Sequence, residues 1–230
     1  MVSFGTTLVD QNGFIDRFPG LSMLVGLLAN AMGWDHTEVD KLSSLQNRLV
    51  YAARWDAAPE HLVDYHTADL GQTKMQDPFW TTQGVPERRA GGTAGHATHQ
   101  RYRHYWADGL MTVVMGLSTD GEPTLSRIVS ALRRPERPLF WGRKTCLPAR
   151  PLLDPESPVA EGVDVLDILA KVEIWDRSGT PARDNAPREA CWPLELSGGT
   201  LRQISDTRDW ANQLVTGSRG RREGLVGRAE

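Results

Sequence analysis

Leu21, Leu24, Val25, Leu28 and Met32 fall at helical spacing and predict one apolar helix face for core packing. Pro19 suits the first turn of that helix, and Gly33 the position just past its end. A second helix is expected from about Thr37 to Asn47, with Thr37 as its N-cap. The period then changes. Leu49, Tyr51, Ala53 and Trp55 alternate with Val50, Ala52 and Arg54, which predicts a buried strand. His61 to Thr67 reads as extended, and Gly109 to Leu117 as a strongly apolar strand. Pro123 to Arg134 predicts an amphipathic helix with Leu125, Ile128, Val129 and Leu132 inward. Pro135 and Pro138 break it, and Leu139 to Gly142 is expected as a short strand.

After a short N-terminal segment interrupted by Gly5 and Asn12-Gly13, the order is helix, strand, strand, helix, strand. That order predicts an α+β fold with a ferredoxin-like β-α-β-β-α-β core over residues 1–150, a long loop being inserted between its middle strands. A smaller, β-rich region is expected over 151–216, with Val163 to Ala170 helical and Lys171 to Trp175 a strand. Gly217 to Glu230 lacks an apolar pattern and reads as a mobile tail.

A chain of 230 residues with 40% hydrophobic and 24% charged residues is ordinary for a soluble globular protein. No apolar run approaches a membrane span and no signal pattern opens the chain, so a cytoplasmic location without membrane partners is expected. Cys146 and Cys191 are too few and too far apart for a disulfide framework or a zinc site. A net charge of −3 does not itself point to nucleic acid, but its distribution does. Arg127 to Arg150 holds seven basic residues against Glu136 alone, and Pro151 to Asp176 holds seven acids against Lys171 alone. Such asymmetry suits a polyanion face on one side and a protein or solvent face on the other.

Arg17 stands beside the exposed N–H groups of the first helix, a pairing that makes an anion site. Gly71 to Ala97 lacks periodicity, and loops of that length are usually functional or disordered. It carries Phe79 and Trp80, an apolar pair expected to insert against a partner subunit or a base. Strand alternation then puts Arg101, Arg103 and Tyr105 on one face. Guanidinium groups that hold phosphate and rings that stack on bases suit single-stranded RNA; a solvated strand face is the plain alternative. His96, His99 and His104 match no standard metal spacing, so neither a metal nor another cofactor is expected.

Several short stretches resemble, in order, the CRISPR-associated CasD family of the RAMP superfamily. They are Ser3-Phe4-Gly5, Arg17-Phe18-Pro19, Ser22, Gly26-Leu27-Leu28, Gly33, Asp64-Tyr65-His66-Thr67, Trp141-Gly142-Arg143-Lys144-Thr145-Cys146, Arg150-Pro151-Leu152 and Thr207-Arg208-Asp209-Trp210. The resemblance implies an RRM-like core with a thumb at about 68–98. It implies a non-catalytic subunit that caps the 5′ handle of the crRNA in a subtype I-E Cascade complex, in defence against foreign DNA. It also implies contacts with a CasC-family backbone subunit and a CasA-family large subunit, with target DNA reached through the complex. Arg17, Arg143 and Lys144 would then neutralise handle phosphates, while Tyr65, His66, Arg101, Arg103 and Tyr105 would contact sugar, phosphate or bases. Family members place a complete strand, central in the sheet, ahead of the Ser3-Phe4-Gly5 position. Its counterpart here is expected either from another segment or subunit or from a misassigned start, unless the variant is divergent. The alternative reading is a metal-independent endoribonuclease acting on repeat RNA, with Tyr65, His66, His104 and Lys144 supplying base, acid and cation.

Overall fold

A computed structural model describes residues 1–7, 11–69 and 98–228, together with the backbone of 79–80 and 86–87. The side chains of Phe79 and Trp80, His96 and the middle of the expected thumb lie outside the described residues. The chain runs α1 (Leu21–Ala31), α2 (Val39–Arg48), β1 (Leu49–Ala57), β2 (Glu60–Asp69), β3 (Phe79–Trp80) and β4 (Pro86–Glu87). It continues β5 (Thr98–Ala107), β6 (Leu110–Leu117), α3 (Leu125–Arg133), α4 (Val165–Lys171), β7 (Arg188–Pro193) and β8 (Thr200–Ile204). The last described elements are β9 (Arg208–Asp209), β10 (Leu214–Val215) and β11 (Arg219–Val226).

The α+β class is as expected. One antiparallel sheet, in the order β6-β1-β7-β11-β8, carries helices on both faces. Tyr51, Ala53, Trp55 and Cys191 face α1 and α2, where Leu24, Val25, Leu28, Leu42 and Leu45 complete the main core. Ala52, Ala190 and Trp192 face the other way, onto Val165 and Leu169 of α4. Burial on both sides explains why β1 is apolar almost throughout. Leu27 and Ala31 point away from the main core and meet Leu139, so α1 is buried around more of its circumference than one stripe.

Three expectations are overturned. The stretch from Gly217 is not a tail: β11 lies inside the sheet between β7 and β8. It lacks apolar alternation because one face carries Arg219, Arg221 and Glu223, satisfied by ion pairs with Asp206, Asp16 and Arg202. Its other face needs Gly220 and Gly224, where a Cβ would stand 2.8 Å from Leu194 and Trp192 respectively. Leu139 to Gly142 forms no strand: Leu139 and Phe140 lead irregularly into a turn over Trp141–Cys146, closed by the N–H of Trp141 donating to Cys146 O and that of Cys146 to Arg143 O. Lys171 to Trp175 likewise forms no strand beyond a bridge of Trp175 to Pro181: α4 runs through Lys171, Val172 caps it, and Glu173 and Ile174 follow irregularly. The region beyond residue 150 supplies β7, β11 and β8, and β7 pairs with β1 at Ala53–Cys191 and Arg54–Ala190.

Candidate nucleic-acid interface

β2 and β5 pair with each other over ten positions and stand apart from the main sheet as a two-stranded arm. The arm begins at Glu60 and ends at Ala107, so it takes in more chain than the expected 68–98 insertion. The N-terminal motif anchors its base. Val2 and Trp106 exchange backbone hydrogen bonds of 2.8 and 2.9 Å, and the Trp106 indole N–H donates to Asp16 O. The N–H of Ser3 donates to Trp141 O, which ties the same segment to the Trp141–Cys146 turn. That turn requires Gly142: its φ is +85°, and a Cβ there would overlap the carbonyl oxygen of Ser3.

Opposite residues of an antiparallel pair share a face, so the register sorts the arm into two surfaces. On one face stand His61, Val63 and Tyr65 with Trp106, His104 and Tyr102. Tyr65 and Tyr102 contact at 5.0 Å between ring centres, His61 stacks on His104 at 5.0 Å, and Phe14 closes on His104. The His61 and His104 ring nitrogens are hydrogen-bonded at 2.9 Å. Trp106 continues the row, and the Arg17 guanidinium lies over Trp106 at 4.7 Å and over Trp55 at 5.4 Å. The result is a band of rings running from the exposed arm to a cation at its base.

The opposite face carries Asp64 and His66 with Arg103 and Arg101. His66 is paired with Asp64. Arg101 and Arg103 form no ion pair with another described residue. Tyr105, on the same face, is buried beneath the Arg143 guanidinium at 4.9 Å and is not a surface ring. Arg143 donates to the carbonyls of His104 and Gly13, both at 3.0 Å, and so braces the arm base. Lys144 beside it is exposed.

The anion site expected at the start of α1 is filled from within the chain. Asp206 accepts the N–H of Leu21 at 2.8 Å, and its backbone oxygen accepts that of Ser22. Arg219 grips the same carboxylate with two bonds of 2.7 Å. Arg17 itself is ion-paired with Glu189. Tyr65, His66, His104 and Lys144 do not converge: Tyr65 and His104 share the ring face, while His66 lies on the other. His99 and His104 also face opposite sides, and no metal-binding cluster occurs among the described residues.

Sequence reasoning missed Tyr102, His61 and Phe14. The first two were legible as ring-bearing alternate positions of β2 and β5, whereas Phe14 arrives from a loop and left no local signal. Among the described residues, no helix is long and apolar enough to cross a membrane.

Comparison with known proteins agrees with this architecture. CasD, described as a CRISPR system Cascade subunit of Escherichia coli strain K12, is 29% identical over 136 residues, 59% of this chain and 58% of CasD. The match thus spans less than two thirds of that relative's length. A chain from a solved CRISPR RNA-guided surveillance complex shares the fold with a TM-score of 0.67 at 23% identity, over 99% of this chain and 86% of its own. A second structure, described as a Cas protein, gives 0.65 at 20% identity, over 99% and 90%. A family model described as CRISPR-associated protein (Cas_Cas5) matches residues 1–222, and the chain belongs to that family.

Proposed function

We propose that this chain is a non-catalytic RNA-binding subunit of a type I CRISPR (Cascade) complex, holding the 5′ handle of the crRNA and contacting the CasC-family backbone and CasA-family large subunits. The observation that carries this reading is the two-faced arm, with an exposed Tyr65–Tyr102 ring pair on one side and Arg101 and Arg103 on the other. Unpaired bases stack on rings and guanidinium groups hold phosphates, so a single strand passing the arm meets both. Lys144 at the base extends the cationic track. Arg143 acts beneath it as a brace, its donors being directed at protein carbonyls. Membership of a family whose Escherichia coli relative is a Cascade subunit supports the same assignment.

Co-purification with the products of neighbouring genes, followed by sequencing of bound RNA, tests it directly. Each lost phosphate contact on a single strand flattens the slope of log affinity against log salt by about 0.7. The Arg101→Ala/Arg103→Ala variant should therefore bind guide RNA more weakly, with a slope about 1.4 shallower. An assembly free of RNA, or an unchanged slope with intact affinity, contradicts the reading.

A further inference from the structure

The fold sets one helix from each charge block on opposite faces of one sheet. α3, from the basic block, packs through Ile128 and Leu132 on the α1 side. α4, from the acidic block, packs on Ala52, Ala190 and Trp192 on the other side. Within the basic block, Arg137 donates to Trp34 O, and Arg143 to Gly13 O and His104 O. Arg127, Arg133 and Arg134 have no such employment. They are exposed, and their side chains make no hydrogen bond or ion pair with any described residue. With Ile128 and Leu132 inward, helical geometry puts Arg127, Ser130 and Arg133 on the outward half of α3, and Arg134 follows them as the exposed C-cap residue.

The chemistry of this face selects its partner. Leu125, at the helix start, is the one large apolar side chain exposed along α3, so the aromatic and apolar anchors of a protein interface are absent among the described residues. Arginine and serine without acids suit phosphate oxygens. The position argues against the RNA segment already placed on the arm. The arm leaves the sheet after Ala57, at one end of β1. α3 starts beside Arg48, at the other end, behind a loop whose carbonyls at Thr119, Gly121, Glu122 and Pro123 all accept from that guanidinium. Nine strand residues separate these ends by about 30 Å. Arg127 and Arg134 are about 10 Å apart along the helix axis, and a duplex offers a phosphate charge for roughly every 1.7 Å of its length.

From these exposed, unpaired arginines on an acid-free helix that starts at the end of β1 away from the arm, we infer that the outward face of α3 binds the backbone of double-stranded DNA without regard to sequence. The inference rests on the guide-subunit reading for its setting, and its test separates the two. The purified assembly carrying Arg127→Glu/Arg134→Glu is titrated with a duplex matched to the guide and with an unmatched duplex over a range of salt. Affinity for both duplexes should fall roughly tenfold or more at low salt, with the salt slope shallower by about 0.9 for each lost contact. Guide content and subunit composition should stay unchanged, and Arg127→Lys/Arg134→Lys should retain the binding. Unaltered DNA affinity and slope overturn the inference. So does loss of guide RNA, which would assign the face to RNA, or loss of a subunit, which would assign it to a protein. A wild-type assembly without RNA would sink the guide-subunit reading, while its DNA titration would still decide the role of α3.

Discussion

Arginine carries much of this structure, and its roles differ with burial. Arg54 is fully buried; it binds Asp56 at 2.6 Å and the carbonyls of Leu169, Val172 and Glu173 at the C-terminal end of α4. A cation suits that end of a helix, where carbonyls lack partners. Arg48 gathers four loop carbonyls in the same manner. Beside these stand two buried neutral acids. Burial pushes the Cys191 thiol up to about 12 and raises the Tyr51 phenol above its ordinary range. A thiol whose folded value is raised contributes stability fully below its unfolded value near 9.0, and loses that contribution as pH climbs toward 12. Stability should therefore decline above pH ~9 by up to about 1.4 kcal/mol per pH unit for this one group. Urea denaturation of Cys191→Ala between neutral and alkaline pH should show that part of the slope removed; an unchanged alkaline slope would contradict the assignment. None of these roles was legible locally. Arg54 has one near partner in Asp56, but the loop carbonyls that Arg48 gathers begin 71 positions away and Asp16 lies 205 positions from Arg221, so sequence alone reads such arginines as surface charge or phosphate ligands.

At the scale of elements, α1 shows what a pattern can and cannot reveal. Its inward face follows from a 3.6-residue period that is wholly local, and Leu21, Leu24, Val25 and Leu28 are buried as that period requires. Its N-terminal cap is not local. Gly20 provides no side-chain oxygen, and Asp206 supplies the missing acceptor from 185 positions away. Asp206→Ala removes a cap and leaves Arg219 without its carboxylate, so a loss of about 2–3 kcal/mol is expected in equilibrium unfolding. The conservative Asp206→Asn should recover part of the cap but little of the ion pair. The arm divides similarly. Alternation marked Arg101 and Arg103 as sharing a face, but the register alone placed Tyr65 against Tyr102 and buried Tyr105 under Arg143.

Across the whole molecule, the C-terminal strand decides whether the sheet closes. β11 joins β7 to β8, and its Arg219 and Arg221 reach Asp206 and Asp16 across the α1 side of the sheet. A chain stopped after Gly217 should lose the cooperative unfolding transition and become protease-sensitive throughout; a truncated chain that still unfolds cooperatively would show β11 to be an accessory. The sequence by itself determined the helix faces, the buried character of β1, the apolar character of β6, the α+β class and the two opposed blocks of charge. These follow from short-range periodicity and counting, which need no knowledge of distant partners. Only the tertiary structure decided that Asp206 fills the α1 terminus, that Arg17 and Arg143 turn toward protein groups, and that α3 and α4 occupy opposite faces of one sheet. The physical reason is that strand pairing and ion pairing join residues far apart in the chain. A polar stretch such as Arg219 to Val226 becomes interior only once its neighbours have supplied the countercharges and space it needs.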